Sequence, residues 1–188
     1  SNAQIIIQDL NLDYREIDIH SKLDNNYVVK YIGSWMESPL GSGVTSILYI
    51  QMELCSHNLR EVNKMKMSCF QSVPNRGMGH IEYFISYHLF KEILEAVEYL
   101  HTREPVIIHR DLKPTNIMIL LNLAQKQCIK IGDFGLAKIH DKGSHTRNVG
   151  TDNYIAPEVI SSKVYNTKAD VYSIGRFMEE LFNFDINE

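Results

Sequence analysis

The sequence predicts an α+β domain, with a small strand-bearing part first and a larger helical part second. Three observations predict it. Two β-prone apolar runs, 27–35 and 47–54, lie near the N-terminus. Between them, residues 37–46 contain Pro39, Gly41 and Gly43, which mark a hairpin loop. From His80 to Arg103, a stripe of Ile81, Phe84, Ile85, Leu89, Ile93, Ala96 and Leu100 recurs at helical spacing. Strands grouped ahead of helices, rather than alternating with them, are the α+β pattern.

The remaining elements follow in chain order. Ser1-Asn2-Ala3 reads as the remnant of an expression tag and is set aside. Residues 9–24 are expected to be helical, with Leu12, Ile19 and Leu23 on one face and Ile17 flanking. Asp9 and Asp13 near the start of that stretch suit a helix N-terminus, where carboxylates meet unpaired N–H groups. Residues 63–79 show no steady period and end in Gly and Pro signals, so a loop or insertion is expected there. Short strands are expected at 106–108, 117–121 and 128–131, separated by polar turns. Residues 138–153 have the polar, glycine-containing composition of a surface loop. A final helix from about Thr167 turns Val171, Ile174, Phe177, Met178 and Leu181 inward.

Composition excludes several classes of function. The chain has 188 residues with 44% hydrophobic and 22% charged side chains, which rules out disorder throughout. Nineteen Lys and Arg against 23 Asp and Glu give a net charge of −4. No basic excess exists to neutralise a run of phosphates, so nucleic-acid binding is not expected. The longest unbroken apolar stretch, 117–121, is far too short to span a bilayer. The first residues lack the charged and apolar regions of a signal peptide. Cys55, Cys69 and Cys128 are odd in number and widely spaced, which fits a reducing compartment and a cytoplasmic location.

The chemistry lies in three strings. Ile108-His109-Arg110-Asp111-Leu112-Lys113-Pro114-Thr115-Asn116 comes first, Gly132-Asp133-Phe134-Gly135 follows, and Ala156-Pro157-Glu158 closes the set. A short string such as Asp-Phe-Gly arises readily by chance, and read singly these residues are a solvated Asp–Lys pair and a loop aspartate. All three in this order match the signature set of protein kinases. From Glu16 to about Leu181 the chain resembles a eukaryotic protein kinase.

That resemblance implies a partial N-lobe over 4–55, consisting of the C helix and the following strands. A partial helical C-lobe would extend over 56–188, to the F helix. It implies ATP and Mg²⁺ as cofactors and a protein hydroxyl as acceptor. Asp111 would accept or orient the hydroxyl proton, and Lys113 would follow the γ-phosphate. Asn116 and Asp133 would hold the metal through oxygen. Gly132 and Gly135 let the chain turn sharply around Asp133. His109 is expected to pack and hydrogen-bond rather than act as a base. Residues 48–55 resemble the strand entering the hinge, with Met52 as gatekeeper and the backbone of Glu53 and Cys55 facing adenine. The Lys-Pro pair after Asp111 points to Ser/Thr kinases, as does Thr151, the family threonine that bonds the catalytic Asp and Lys.

More narrowly, residues 14–35, the Leu-Tyr-Ile-Gln-Met-Glu-Leu-Cys run and the spacing from Thr146 to Gly150-Thr151 resemble the kinases of the eukaryotic initiation factor 2 α subunit. A NIMA-like kinase is the nearest rival. The resemblance implies that α subunit as a protein substrate and a kinase–kinase dimer as a further association.

Two family features are absent. No glycine or lysine precedes Glu16, although the family uses a Gly-rich loop and a strand lysine there. Gly41-Ser42-Gly43 lies downstream of the helix that such a loop should precede. Glu16 aligns with the helical glutamate that pairs with that lysine, and without it is expected to be a solvated charge. Transfer by this chain alone is therefore expected to be poor. The alternative is a regulatory module or decoy for a complete kinase. Glu158 normally pairs with an arginine in a later helix, for which Arg176 is a candidate substitute. Thr146 is the expected regulatory phosphosite, with Arg110 and Lys138 as the cations that would close on it.

Overall fold

The computed structural model describes residues 3–9, 15–37, 47–73, 77–120, 128–135, 138–139, 152–161 and 166–184. The first part holds β1 (Ala3–Asp9), α1 (Arg15–His20), β2 (Tyr31–Glu37) and β3 (Ile47–Glu53). The second holds β4 (His57–Asn58), α2 (Leu59–Phe70), α3 (His80–His101), β5 (Ile107–Ile108), β6 (Ile117–Ile119), β7 (Ile129–Ile131) and β8 (Lys138–Ile139). A 3-10 turn (Asp152–Tyr154), α4 (Pro157–Ser161) and α5 (Lys168–Phe182) complete it. This is the α+β architecture the sequence predicts.

β3 lies between β1 and β2 in an antiparallel sheet. Met52 is in register with Gln4 on one side and Tyr31 on the other. Val29, Leu48, Ile50, Met52 and Cys55 form the core of this part. The larger core packs α3 and α5 against the β6–β7 hairpin, with Ile93, Leu100, Leu112, Ile129, Phe134 and Phe177 fully enclosed. The connection between the two parts is made by residues 27–31. The Val29 N–H donates to the Ile131 carbonyl at 2.9 Å, and the Ile131 N–H donates to Tyr27 at 2.9 Å.

The structure corrects five expectations. Residues 3–9 form a strand, so Ala3 belongs to the sheet, opposite Glu53, and Asp9 pairs with Ile47 rather than opening a helix. Three consecutive isoleucines favour extended backbone, and β3 supplies the partner edge.

Residues 59–70 form a helix, so 63–70 of the expected 63–79 loop are helical. Asn58 accepts from the Glu61 N–H at 3.0 Å, while the Glu61 carboxylate accepts from the Asn58 N–H at 2.9 Å, a complete capping box. The buried face of this helix is Leu59, Asn63 and Lys66, at correct helical spacing but mostly polar, so a search for apolar period passes over it.

In α3 the first turns reverse the expected stripe. Ile81 and Phe84 are exposed, whereas Glu82 and Ser86 are buried; from Ile93 onward the expected face holds. In α5, Val171 likewise faces out. Finally, Lys138 and Ile139 are a short strand on β5 rather than loop.

Candidate active site

The site is assembled on one buried carboxylate. Asp170, in the first turn of α5, has no exposed surface. It accepts from the backbone N–H groups of His109 and Arg110, each at 2.9 Å, and from His101 Nε2 at 2.8 Å. Three donors satisfy a charge that burial would otherwise make costly. They also fix the chain immediately before Asp111. Arg110 takes a left-handed backbone, φ 69°, and this sharp reversal is what the two N–H bonds hold in place.

His109 is fully buried between this loop and the strand hairpin. Its Nε2 lies 3.0 Å from the Gly132 carbonyl, which requires the proton there and leaves Nδ1 to accept from the Asp111 N–H at 3.4 Å. Both nitrogens serve backbone, the packing role expected of it. Phe134 stands between two imidazoles, 5.1 Å from His109 and 5.0 Å from His20, ring centre to ring centre. His20 Nε2 bonds the Val29 carbonyl, and burial lowers the pKa of this imidazole below its ordinary value.

Asp111, Lys113 and Asn116 converge. Lys113 Nζ donates to Asp111 Oδ2 at 2.6 Å. Asn116 Nδ2 donates to the same oxygen at 3.0 Å and to the Asp111 carbonyl at 2.9 Å. Those bonds use the amide nitrogen and leave its oxygen as the donor for a hard cation. The Gly132 N–H bonds the Asn116 carbonyl at 2.9 Å, which brings Asp133 alongside. Asp133 itself is exposed on a left-handed backbone, φ 60°, where it accepts a 3.4 Å bond from the Gly135 N–H. A Cβ on Gly132 would meet Val29 Cγ2 at 3.2 Å and Met118 Cγ at 3.3 Å, so a side chain there crowds the cleft.

Among the described residues, no three His, Cys, Asp or Glu side chains converge as a metal cage. A cation at Asn116 and Asp133 would therefore complete its shell with phosphate and water, the arrangement Mg²⁺ favours.

At the opposite side, Met52 and Cys55 are buried at the end of β3. Burial and the neighbouring Glu53 charge push the Cys55 thiol up to about 11, so it stays protonated and inert. Glu16 lies within α1. Lys138 pairs through its backbone with Ile108. Thr146 and Thr151 lie outside the described residues. Arg176 pairs with Glu179 at 2.8 Å, and among the described residues no ion pair joins it to Glu158.

Sequence reasoning missed Asp170, His20 and the Lys130–Glu53 ion pair. An aspartate in the first turn of an amphipathic helix reads as a dipole partner, and nothing in the spacing shows which loop folds onto it.

A loop aspartate bonded to its lysine and asparagine, with an exposed aspartate on the neighbouring turn, is an arrangement suited to phosphoryl transfer. The chain matches the protein kinase domain family over residues 6–186, and it belongs to that family. It is 32% identical over 179 residues to the interferon-induced, double-stranded RNA-activated protein kinase of Mus musculus, covering 89% of this chain and 32% of that protein. It is 34% identical over 149 residues to eukaryotic translation initiation factor 2-alpha kinase 3 of Rattus norvegicus, covering 71% of this chain and 12% of that protein. A probable serine/threonine-protein kinase, nek2 of Dictyostelium discoideum, is 32% identical over 168 residues, covering 88% and 36%. The chain thus spans about a third or less of the length of these curated relatives. Among the described residues, no helix is long and apolar enough to cross a membrane.

Proposed function

We propose that this chain carries the catalytic loop, metal-binding turn and hinge of a Ser/Thr protein kinase that moves the γ-phosphate of ATP to a protein hydroxyl. The observation that carries this reading is the bonding of Lys113 and Asn116 to one oxygen of Asp111, with Asp133 on the adjoining turn. Asp111, 7% exposed and held through Oδ2, would accept or orient the proton of the incoming hydroxyl. Lys113 sits beside it as the cation nearest the transferred group. Asn116 and Asp133 would hold Mg²⁺ by oxygen; the metal, when bound, neutralises charge on the phosphates. Met52 and the backbone of Glu53 and Cys55 would receive adenine. The α subunit of initiation factor 2 is the proposed protein substrate, supported by the likeness to the rat initiation factor 2-alpha kinase. The cytoplasm is the proposed location, and a second kinase the proposed partner.

A second reading, a regulatory module that engages a complete kinase, is favoured by β1. This strand precedes the helix bearing Glu16 and lies in register with β3, yet none of its seven residues is a lysine. Phosphate positioning is accordingly weak in this chain, and transfer by it alone is expected to be slow.

The test of the nucleotide site is calorimetric titration of the chain with adenosine and with Mg²⁺·ADP. Asp133→Ala is expected to abolish the extra affinity that Mg²⁺ gives to ADP and to leave adenosine unchanged. Equal loss of both ligands would contradict the division of the cleft into a metal end and a base end.

Regulation is proposed at Thr146, with Arg110 and Lys138 as the closing cations and Thr151 as a hydroxyl partner of Asp111 and Lys113. A phosphothreonine adds roughly −1.5 to −2 of charge, enough to order a loop against basic groups. Mass spectrometry of the active full-length protein is expected to find phosphate on Thr146, and Thr146→Ala in that protein is expected to lower activity. Full activity in Thr146→Ala would remove the residue from this role.

A further inference from the structure

Lys130 belongs to β7, three positions before Asp133, and retains 3% of its surface. The neighbouring Ile129 and Ile131 point into the main core, so strand alternation turns Lys130 the other way, toward the three-stranded sheet. There its Nζ lies 2.5 Å from Glu53 Oε1. The same oxygen accepts from the Lys30 N–H at 2.6 Å, while the Glu53 N–H donates to the Lys30 carbonyl at 2.9 Å. One carboxylate thus gathers the hinge strand, the crossing segment at residue 30 and the strand leading to Asp133.

A lysine so enclosed needs its counter-ion. Removing one partner of such a pair leaves an uncompensated charge, and the surrounding backbone must open to hydrate it. The route from Lys130 to the metal end is short. Ile131 is bonded to residues 27 and 29, and the next residue, Gly132, bonds both Asn116 and His109. Displacement of Lys130 therefore reaches Asp133 through bonded backbone, and displacement of Glu53 reaches the adenine-facing groups of the hinge directly. Because the ammonium is committed to Glu53, it is not aimed at phosphate.

We propose that Lys130 is a positioning residue of the nucleotide cleft, whose buried ion pair with Glu53 fixes the hinge relative to the turn that presents Asp133. This rests on the nucleotide reading above, and the test separates the two.

Hydrogen–deuterium exchange of the ligand-free chain measures the coupling without nucleotide. Lys130→Met is expected to speed exchange about tenfold both in β7 through Gly135 and, across the cleft, at Glu53–Cys55, because an opened ion pair lowers the local opening free energy on both sides. Lys130→Arg, which keeps the charge, is expected to stay within about threefold of the parent at the hinge. If Lys130→Met does not fold, Glu53→Gln is the second variant. It retains an oxygen for both donors and is expected to accelerate the β7–Gly135 amides about threefold. Acceleration confined to the mutated strand, or an arginine variant as perturbed as the methionine one, would overturn the proposal. Adenosine titration of the same proteins completes the test. Weaker adenosine binding in Lys130→Met, restored in Lys130→Arg, supports positioning. Loss of Mg²⁺·ADP affinity with adenosine unchanged would instead make Lys130 a phosphate contact and overturn it. An unmutated chain that binds no adenosine would fail the nucleotide reading, and the exchange result would still decide whether hinge and metal turn are coupled.

Discussion

Lys66 illustrates how much a single buried side chain can impose. It sits where α2, α3 and α5 meet, and its ammonium donates to Ser86 Oγ at 2.7 Å and to the Leu181 carbonyl. Burial lowers its pKa to about 8, partly opposed by the charge of Glu82. The folded pKa is below the unfolded value, so between pH 8 and the unfolded value near 10.5 the unfolded chain binds more protons. Stability from this residue therefore increases as pH rises through that window. Urea unfolding of the parent and of Lys66→Met at pH 7.5 and 10 checks it; the difference is expected to shift in favour of the parent at the higher pH. A pH-independent difference would mean that the amine is already neutral or remains fully hydrated. At this scale the sequence is legible where chemistry demands a fixed string. Asp111, Lys113, Asn116 and Asp133 are such residues, and the structure brings the first three into direct hydrogen bonds. Lys130, Glu53 and Asp170 were not legible as partners. Their pairing joins residues 77 and about 60 positions apart, and no local pattern encodes it.

Among the elements, α2 shows why a helix can escape pattern reading. Its existence depends on the Asn58–Glu61 capping box and on polar side chains that bond another helix: Asn63 donates to the Glu180 carbonyl at 2.7 Å, and Lys66 serves Leu181. Removing the cap tests this directly. Asn58→Ala is expected to cost about 1 kcal/mol in chemical denaturation, and Glu61→Ala added to it less than the sum, because each group satisfies the other's N–H. Strict additivity would show that the two act separately. β1 escaped for the opposite reason. Its isoleucines are apolar without alternation, and only the free edge of β3 makes them a strand. α3 was readable beyond Ile93, where it meets apolar partners. It was misread before that point, where Glu82 is buried against the Ser72 hydroxyl at 2.6 Å and Ile81 faces out.

For the whole molecule, the kinase architecture was visible because its three motifs fall in order along the chain; how the N-terminal segment joins it was not. The strand β1 supplies an edge to β3 but no lysine, while the chain entering Asp111 is anchored on Asp170. On the proposed reading the 109–116 loop carries the chemistry, and β1 brings no lysine to clamp the phosphates. Losing a single preorganised electrostatic group commonly costs about 10²–10³ in rate. The most direct measurement is transfer of labelled γ-phosphate from Mg²⁺·ATP to a Ser/Thr protein substrate by the purified 188-residue chain, compared with its Asp111→Asn variant. The expected result is transfer no faster than that of Asp111→Asn, alongside retained adenosine binding; rapid transfer that disappears in Asp111→Asn would contradict it.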